Sequence, residues 1–179
     1  VIAPNGAEKA FWSPDGKYLI SFATEVKFTS EMMAAAIARG PGSPPPLTPE
    51  KVVRLVNTTK QTSTIVDRVP LDKGDISNAV WLPGSKAVVI ENMFVVKNEQ
   101  GRPIGAKQTY SLLMAATGKV LNLFEPSINE FAHIVSDPSA GAILIVRGRP
   151  EGGQVDSHIT RFLPINSEGR IGNGISVQG

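Results

Sequence analysis

FWSPDGKYLISFAT, residues 11–24, places four turn-forming residues between two stiff apolar runs, and the fold follows from how that stretch is read. Pro14 fixes φ at the first corner, the Asp15 side chain can hydrogen-bond onward to the backbone, and Gly16 accepts a positive φ. Such a turn joins two antiparallel strands. Beyond it, Lys17 to Thr24 is almost unbroken in apolar and β-favouring residues, the pattern of a strand covered on both faces.

The layout recurs at AVWLPGSKAVVIEN, residues 79–92, where Trp81, Pro83, Gly84 and Lys86 stand for Trp12, Pro14, Gly16 and Lys17. A third copy is HIVSDPSAGAILIVR, residues 133–147. Each copy precedes a second strand pair: VVRLVNTTKQTSTIVD at 52–67, TYSLLMAATGKVLNLF at 109–124 and SHITRFLPINSEGRI at 157–171. The turns of these pairs fall at Thr59 and Lys60, at Thr117 to Lys119, and at Glu168 to Arg170. Four strands per unit and three units make a repeat architecture.

The chain is thus expected to be all-β, a partial β-propeller of about three four-stranded antiparallel blades spanning residues 1–179. Blade 1 covers about 7–70 with an insertion at 26–50, blade 2 about 76–126 and blade 3 about 130–176. The insertion carries a short helical pattern, SEMMAAAIARG, with Ser30 as N-cap, Glu31 at the positive end and Gly40 as the stop. PGSPPPLTP, 41–49, follows as an extended loop. KNEQGRPIGAKQ, 97–108, reads as the polar end of a long hairpin. Phe11, Trp12, Trp81, Phe131 and Phe162 are expected to fill the gaps between adjacent sheets. Three blades do not close a ring that takes about 4 to 8. The remaining blades are expected elsewhere in the same polypeptide, and the start at Val1 without Met fits a processed or truncated product.

Composition narrows the function classes. Eighteen Lys and Arg stand against 16 Asp and Glu, spread without blocks, so despite a pI of about 9.0 no basic patch suited to nucleic acid forms. MMAAAIA and SLLMAA are far shorter than the ~20 apolar residues of a membrane span. Cysteine is absent, which removes disulfides, thiolate metal sites and a Cys nucleophile from these residues.

GPGSP, 40–44, is one step out of register with the G-x-S-x-G elbow that strains a nucleophilic serine, and its prolines mark a loop. His133 and His158 lie in no triad context and are read as strand residues. Asp67, Asp72 and Asp75 lack calcium-loop spacing and read as a solvated connection between blades. The glycines of GRPEGGQ and GRIGNG read as turns rather than a phosphate cradle. Asn57, Thr58 and Thr59 match a glycosylation acceptor and suit a hairpin turn equally well in composition, with the turn favoured. Lys86, Lys107, Arg147 and Arg149 are the cations that a central funnel would turn toward a peptide carboxylate. No catalytic, cofactor-binding or metal-binding residue is assigned, and no cofactor is expected.

WSPDGKYLISF, followed by a strand pair closing on N-T-T-K or A-T-G-K, resembles the WD40-like repeats of the TolB family and, most closely, the insertion-rich propeller of the prolyl oligopeptidase family of serine peptidases. Only the first copy carries the full S-P-D-G; Leu82 to Ser85 and Ser136 to Ser139 depart from it. The resemblance implies a noncatalytic propeller that gates or selects peptide substrates for a hydrolase domain lying outside these residues. Its partners would be a peptide substrate or partner protein, the remaining blades and the catalytic domain, at a periplasmic or otherwise extracytoplasmic site. The alternative it implies is a TolB-like scaffold for protein–protein binding. A catalytic propeller working through paired carboxylates ranks third, because the inner strands offer few acids.

Overall fold

A computed structural model describes residues 7–26, 30–39, 49–127, 130–137, 141–148 and 159–178. Three four-stranded antiparallel sheets follow one another along the chain, each with its strands in sequence order, in an arrangement consistent with a partial propeller. The first comprises β1 (Lys9–Trp12), β2 (Tyr18–Val26), β3 (Pro49–Asn57) and β4 (Thr62–Pro70), with the short helix α1 (Ser30–Ala38) inserted after β2. The second comprises β5 (Gly74–Trp81), β6 (Ala87–Lys97), β7 (Pro103–Met114) and β8 (Val120–Phe124). The third comprises β9 (Glu130–Asp137), β10 (Gly141–Gly148), β11 (Ile159–Ile165) and β12 (Ile175–Gln178).

Alternation along the strands sorts the apolar side chains buried between sheets into two cores. In β6, Val88 and Ile90 point to the first sheet and join Ile20, Phe22, Val53 and Leu55. Their neighbours Ala87 and Val89 point the other way and join Ala132, Ile134, Leu144 and Val146 of the third sheet. The middle sheet is therefore buried on both faces, which is why Ala87 to Ile90 is an unbroken apolar run. Each fully buried aliphatic side chain in these cores contributes about 1.5–3 kcal/mol relative to exposure.

The inner turns share one hydrogen-bond pattern, with a one-residue correction to the sequence alignment, although Gly84 has φ 82° where Asp15 has no positive φ. Ser13 N donates to Tyr18 O and Gly16 N to Ser13 O; Leu82 N donates to Ala87 O and Ser85 N to Leu82 O in the same pattern. Ser85, with φ 58°, is thus the partner of Gly16 at φ 70°, while Gly84 takes the place of Asp15. A serine holds the left-handed corner where the first turn uses glycine. In the outer turns Gln61, Gly118 and Gly169 all have positive φ, so the second strand pairs share a corner as well. The KNEQGRPIGAKQ segment forms the end of the β6–β7 hairpin, with the Asn98 side chain accepting from Gln100 N and Arg102 N.

Strand parity also corrects the expectation for three aromatics, the third being Phe162, which pairs with Ile145 and Ile175 on the face of the third sheet turned away from the second. Trp12 pairs with Leu19 and Phe11 with Ile20, so Phe11 enters the first core and Trp12 lies on the opposite face, 47% exposed. Phe131 pairs with Arg147 on the face turned away from the second sheet and is 74% exposed. Trp81 is buried, its indole N–H donating to Phe11 O at 2.9 Å and its ring stacked on Tyr18. Gly40, the GPGSP stretch at 40–44, Pro138, Ser139, Arg149 and His158 lie outside the described residues, as does 149–154 of GRPEGGQ.

Candidate functional site

Each sheet begins with an edge strand, and these three edges lie side by side: β5 contacts β1 on one side and β9 on the other. Edge strands pair on one side only. Side chains of neighbouring sheets take Phe11 O, Ser77 O, Trp81 O and both backbone groups of Ala132, and an extended segment laid along these strands would use the outer N–H and C=O groups that remain. The common edge of β1, β5 and β9 is accordingly the candidate site.

Polar groups fasten these edges at fixed positions. At one end of the first interface Lys51 is 7% exposed and meets two carboxylates: Nζ lies 2.5 Å from Glu8 Oε2, 3.2 Å from Thr24 Oγ1 and 3.6 Å from Asp75 Oδ1. The Lys51 ammonium, with the Thr24 side chain and amide, holds the Glu8 carboxyl below the usual carboxylate range. Lys9 Nζ donates to Ser77 O at 2.8 Å, tying β1 to β5. At the other end Asp15 N donates to Ser85 Oγ at 3.1 Å, and the Ser13 hydroxyl, donating to Asp15 Oδ1, lowers that carboxyl as well.

The second interface uses neutral groups. The Tyr110 hydroxyl donates to Ala132 O, Gln108 Oε1 accepts from Ala132 N at 3.2 Å, and Ser136 Oγ donates to Trp81 O at 2.8 Å. Burial, assisted by the Glu91 charge, pushes the Tyr110 hydroxyl far above its ordinary value, so it stays a donor across the whole range in which the protein is handled.

A shallow pocket of about 200 Å³ lies away from this edge, lined by Lys17, Tyr18, Asn57, Thr59 and Lys60. It is smaller than the ~300–1,000 Å³ of ordinary ligand clefts. Its wall is a turn held by its own side chains: Asn57 Oδ1 accepts from Lys60 N, and Thr58 Oγ1 donates to Gly16 O and Lys17 O. Asn57 thus does the hairpin work that its position suggests.

The cations proposed for a funnel are dispersed. Lys107 sits on β7, the third strand of its sheet, and is paired with Glu125. Arg147 lies on β10 facing away from the second sheet, and Lys86 occupies the turn between β5 and β6. His133 is exposed on the same free face as Arg147. Among the described residues no group of three or more His, Asp and Glu side chains gathers into a cluster fit for a metal.

Asp75, 59% exposed at the start of β5, is solvated as expected and is also the second carboxylate facing Lys51. The signal was present in the alternation. Lys51 shares the phase of Val53 and Leu55, so a strand that buries those two also carries the lysine inward, where it needs counter-charges. Neither a family model nor a curated protein matches the sequence.

Proposed function

We propose that the chain is the noncatalytic propeller portion of a prolyl oligopeptidase-like serine peptidase, selecting peptides for a hydrolase domain elsewhere in the polypeptide at an extracytoplasmic site. The observation that carries this reading is the common edge of β1, β5 and β9, three adjacent strands unpaired on one side. An unfolded peptide can present its backbone to such an edge, whereas a folded protein has already paired its own. The S-P-D-G inner hairpin and its repeats support the family assignment.

The test is hydrolysis by the polypeptide as its gene encodes it. Short proline-containing peptide amides are cleaved, while the same segment inside a folded protein is spared. Removal of residues 7–178 abolishes that discrimination. Absence of peptide hydrolysis overturns the reading, and retrieval of a stable protein complex without hydrolysis selects the TolB-like scaffold instead.

A further inference from the structure

The two free faces of the three-sheet stack are chemically unlike. On the free face of the first sheet, Leu19, Ser21, Ala23 and Val52 are buried, Trp12 and Ile65 are 47% and 38% exposed, and a network of Arg54, Glu25, Arg68 and Glu50 lies beside them. On the free face of the third sheet, Phe131, Val135, Ile143, Ile175 and Val177 are 42–74% exposed. Solvent-exposed apolar area of this extent marks an interaction surface. In stacked-repeat proteins a terminal unit carries a polar outer face, a description that the first sheet, with its four-residue ion-pair network, fits better than the third.

Register identifies what the apolar face is built to receive. Trp12 pairs with Leu19, Trp81 with Val88 and Ser136 with Ala142, which puts Val135 and Ile143 at the positions of Phe11 and Ile20 in the first sheet and of Val80 and Val89 in the second. Phe11 and Ile20 pack against the second sheet, and Val80 and Val89 against the third. At both existing interfaces the incoming sheet also lowers a side-chain donor from the end of its first strand onto a main-chain carbonyl: Trp81 onto Phe11 O, Ser136 onto Trp81 O.

We propose that the free face of the third sheet seats a fourth four-stranded antiparallel sheet of the same polypeptide, whose first strand ends in a side-chain donor that reaches the carbonyl of Val135 or Ser136. This rests on the propeller part of the proposed function and not on the peptidase part. A second copy of the chain is the rival occupant, and its own first sheet offers the ion-paired face of Arg54, Glu25, Arg68 and Glu50 to the apolar one.

Hydroxyl-radical footprinting of the polypeptide as its gene encodes it reads the face directly. Phe131 and Ile175 should be oxidised several-fold more slowly than in the chain ending at Gly179, at every protein concentration. Oxidation at the same rate in both overturns the proposal. Protection that fades on dilution overturns it in favour of a second copy. As a second measurement, Ile143→Asp in the encoded polypeptide should lower Tm by about 5 °C or more, with Ile143→Val close to wild type; equal Tm values for all three overturn it. Loss of peptide hydrolysis with the footprint intact would sink the peptidase reading alone.

Discussion

The interface between the first and second sheets and that between the second and third bury the same kind of apolar rows but are fastened differently. Ile20, Phe22 and Val53 against Val88 and Ile90 match Ala87 and Val89 against Leu144 and Val146. Around the first row stand Lys51 with two carboxylates, an indole N–H and a serine hydroxyl; around the second, a phenol, a carboxamide and a serine. The shared part supplies most of the stabilisation, because it scales with buried apolar area. The unshared part sets how each interface answers to pH. Charges latch the first, and neutral donors latch the second.

Trp81 is the residue whose loss reaches both. Its ring fills the first interface and its carbonyl receives Ser136 in the second. Trp81→Ala is expected to cost about 3–5 kcal/mol, the range for emptying a large aromatic site. Denaturant unfolding with an unchanged slope measures it, and amide exchange should quicken in β1 and β2 more than in β10. Equal quickening on both sides would show that the two interfaces open as one unit and that their difference in fastening has no energetic consequence.

Tyr110→Phe isolates the neutral interface. The substitution keeps the ring, removes the donor to Ala132 O and leaves a carbonyl on a 5% exposed residue without it. About 1–2 kcal/mol of destabilisation is expected. Hydrogen exchange should rise in β9 while β1 is unchanged. Because the Tyr110 proton is held far above its ordinary value, the cost should be the same at pH 5 and pH 8.

The charged interface should show the opposite behaviour. Glu8 has its folded-state value depressed below the ordinary 4.5, so its stabilising pairing with Lys51 is fully present above about 4.5 and is lost as pH falls through the folded value. Glu8 is 45% exposed, which holds its share to under about 1 kcal/mol. Wild type should therefore lose more Tm than Glu8→Gln between pH 6 and pH 3. Parallel curves would remove the carboxylate from the latch.

How much of this could be read in advance follows from the same division. Turn chemistry and the unbroken β-favouring run after it are local, and they located the three strand quartets and the both-faces-buried run of β2, where Leu19 to Ala23 are all buried. The parity that places Phe11 in the core and Trp12 outside it was also present, since adjacent residues cannot share a face. Lys51 was legible by phase, but Glu8 and Asp75 as its partners were not, because they come from strands whose mutual placement depends on how two sheets dock. The common edge of β1, β5 and β9 was implied by the repeat, and the dispersal of Lys86, Lys107 and Arg147 was not.

The smallest expected effect lies where the two inner turns meet. Ser85 sits at φ 58°, a left-handed conformation that costs a non-glycine residue about 1–2 kcal/mol. Its hydroxyl also accepts from Asp15 N, joining the first turn to the second. Ser85→Gly relieves the first and forfeits the second, worth about 0.5–1.5 kcal/mol, and glycine adds its own backbone entropy loss. These contributions nearly cancel, so stability should move by less than about 0.5 kcal/mol. Ser85→Ala keeps the strained φ and loses the hydroxyl, and it should be less stable than Ser85→Gly. If Ser85→Ala proves the more stable of the two, the left-handed corner carries no strain, and the correspondence between Ser85 and Gly16 is one of hydrogen bonding alone.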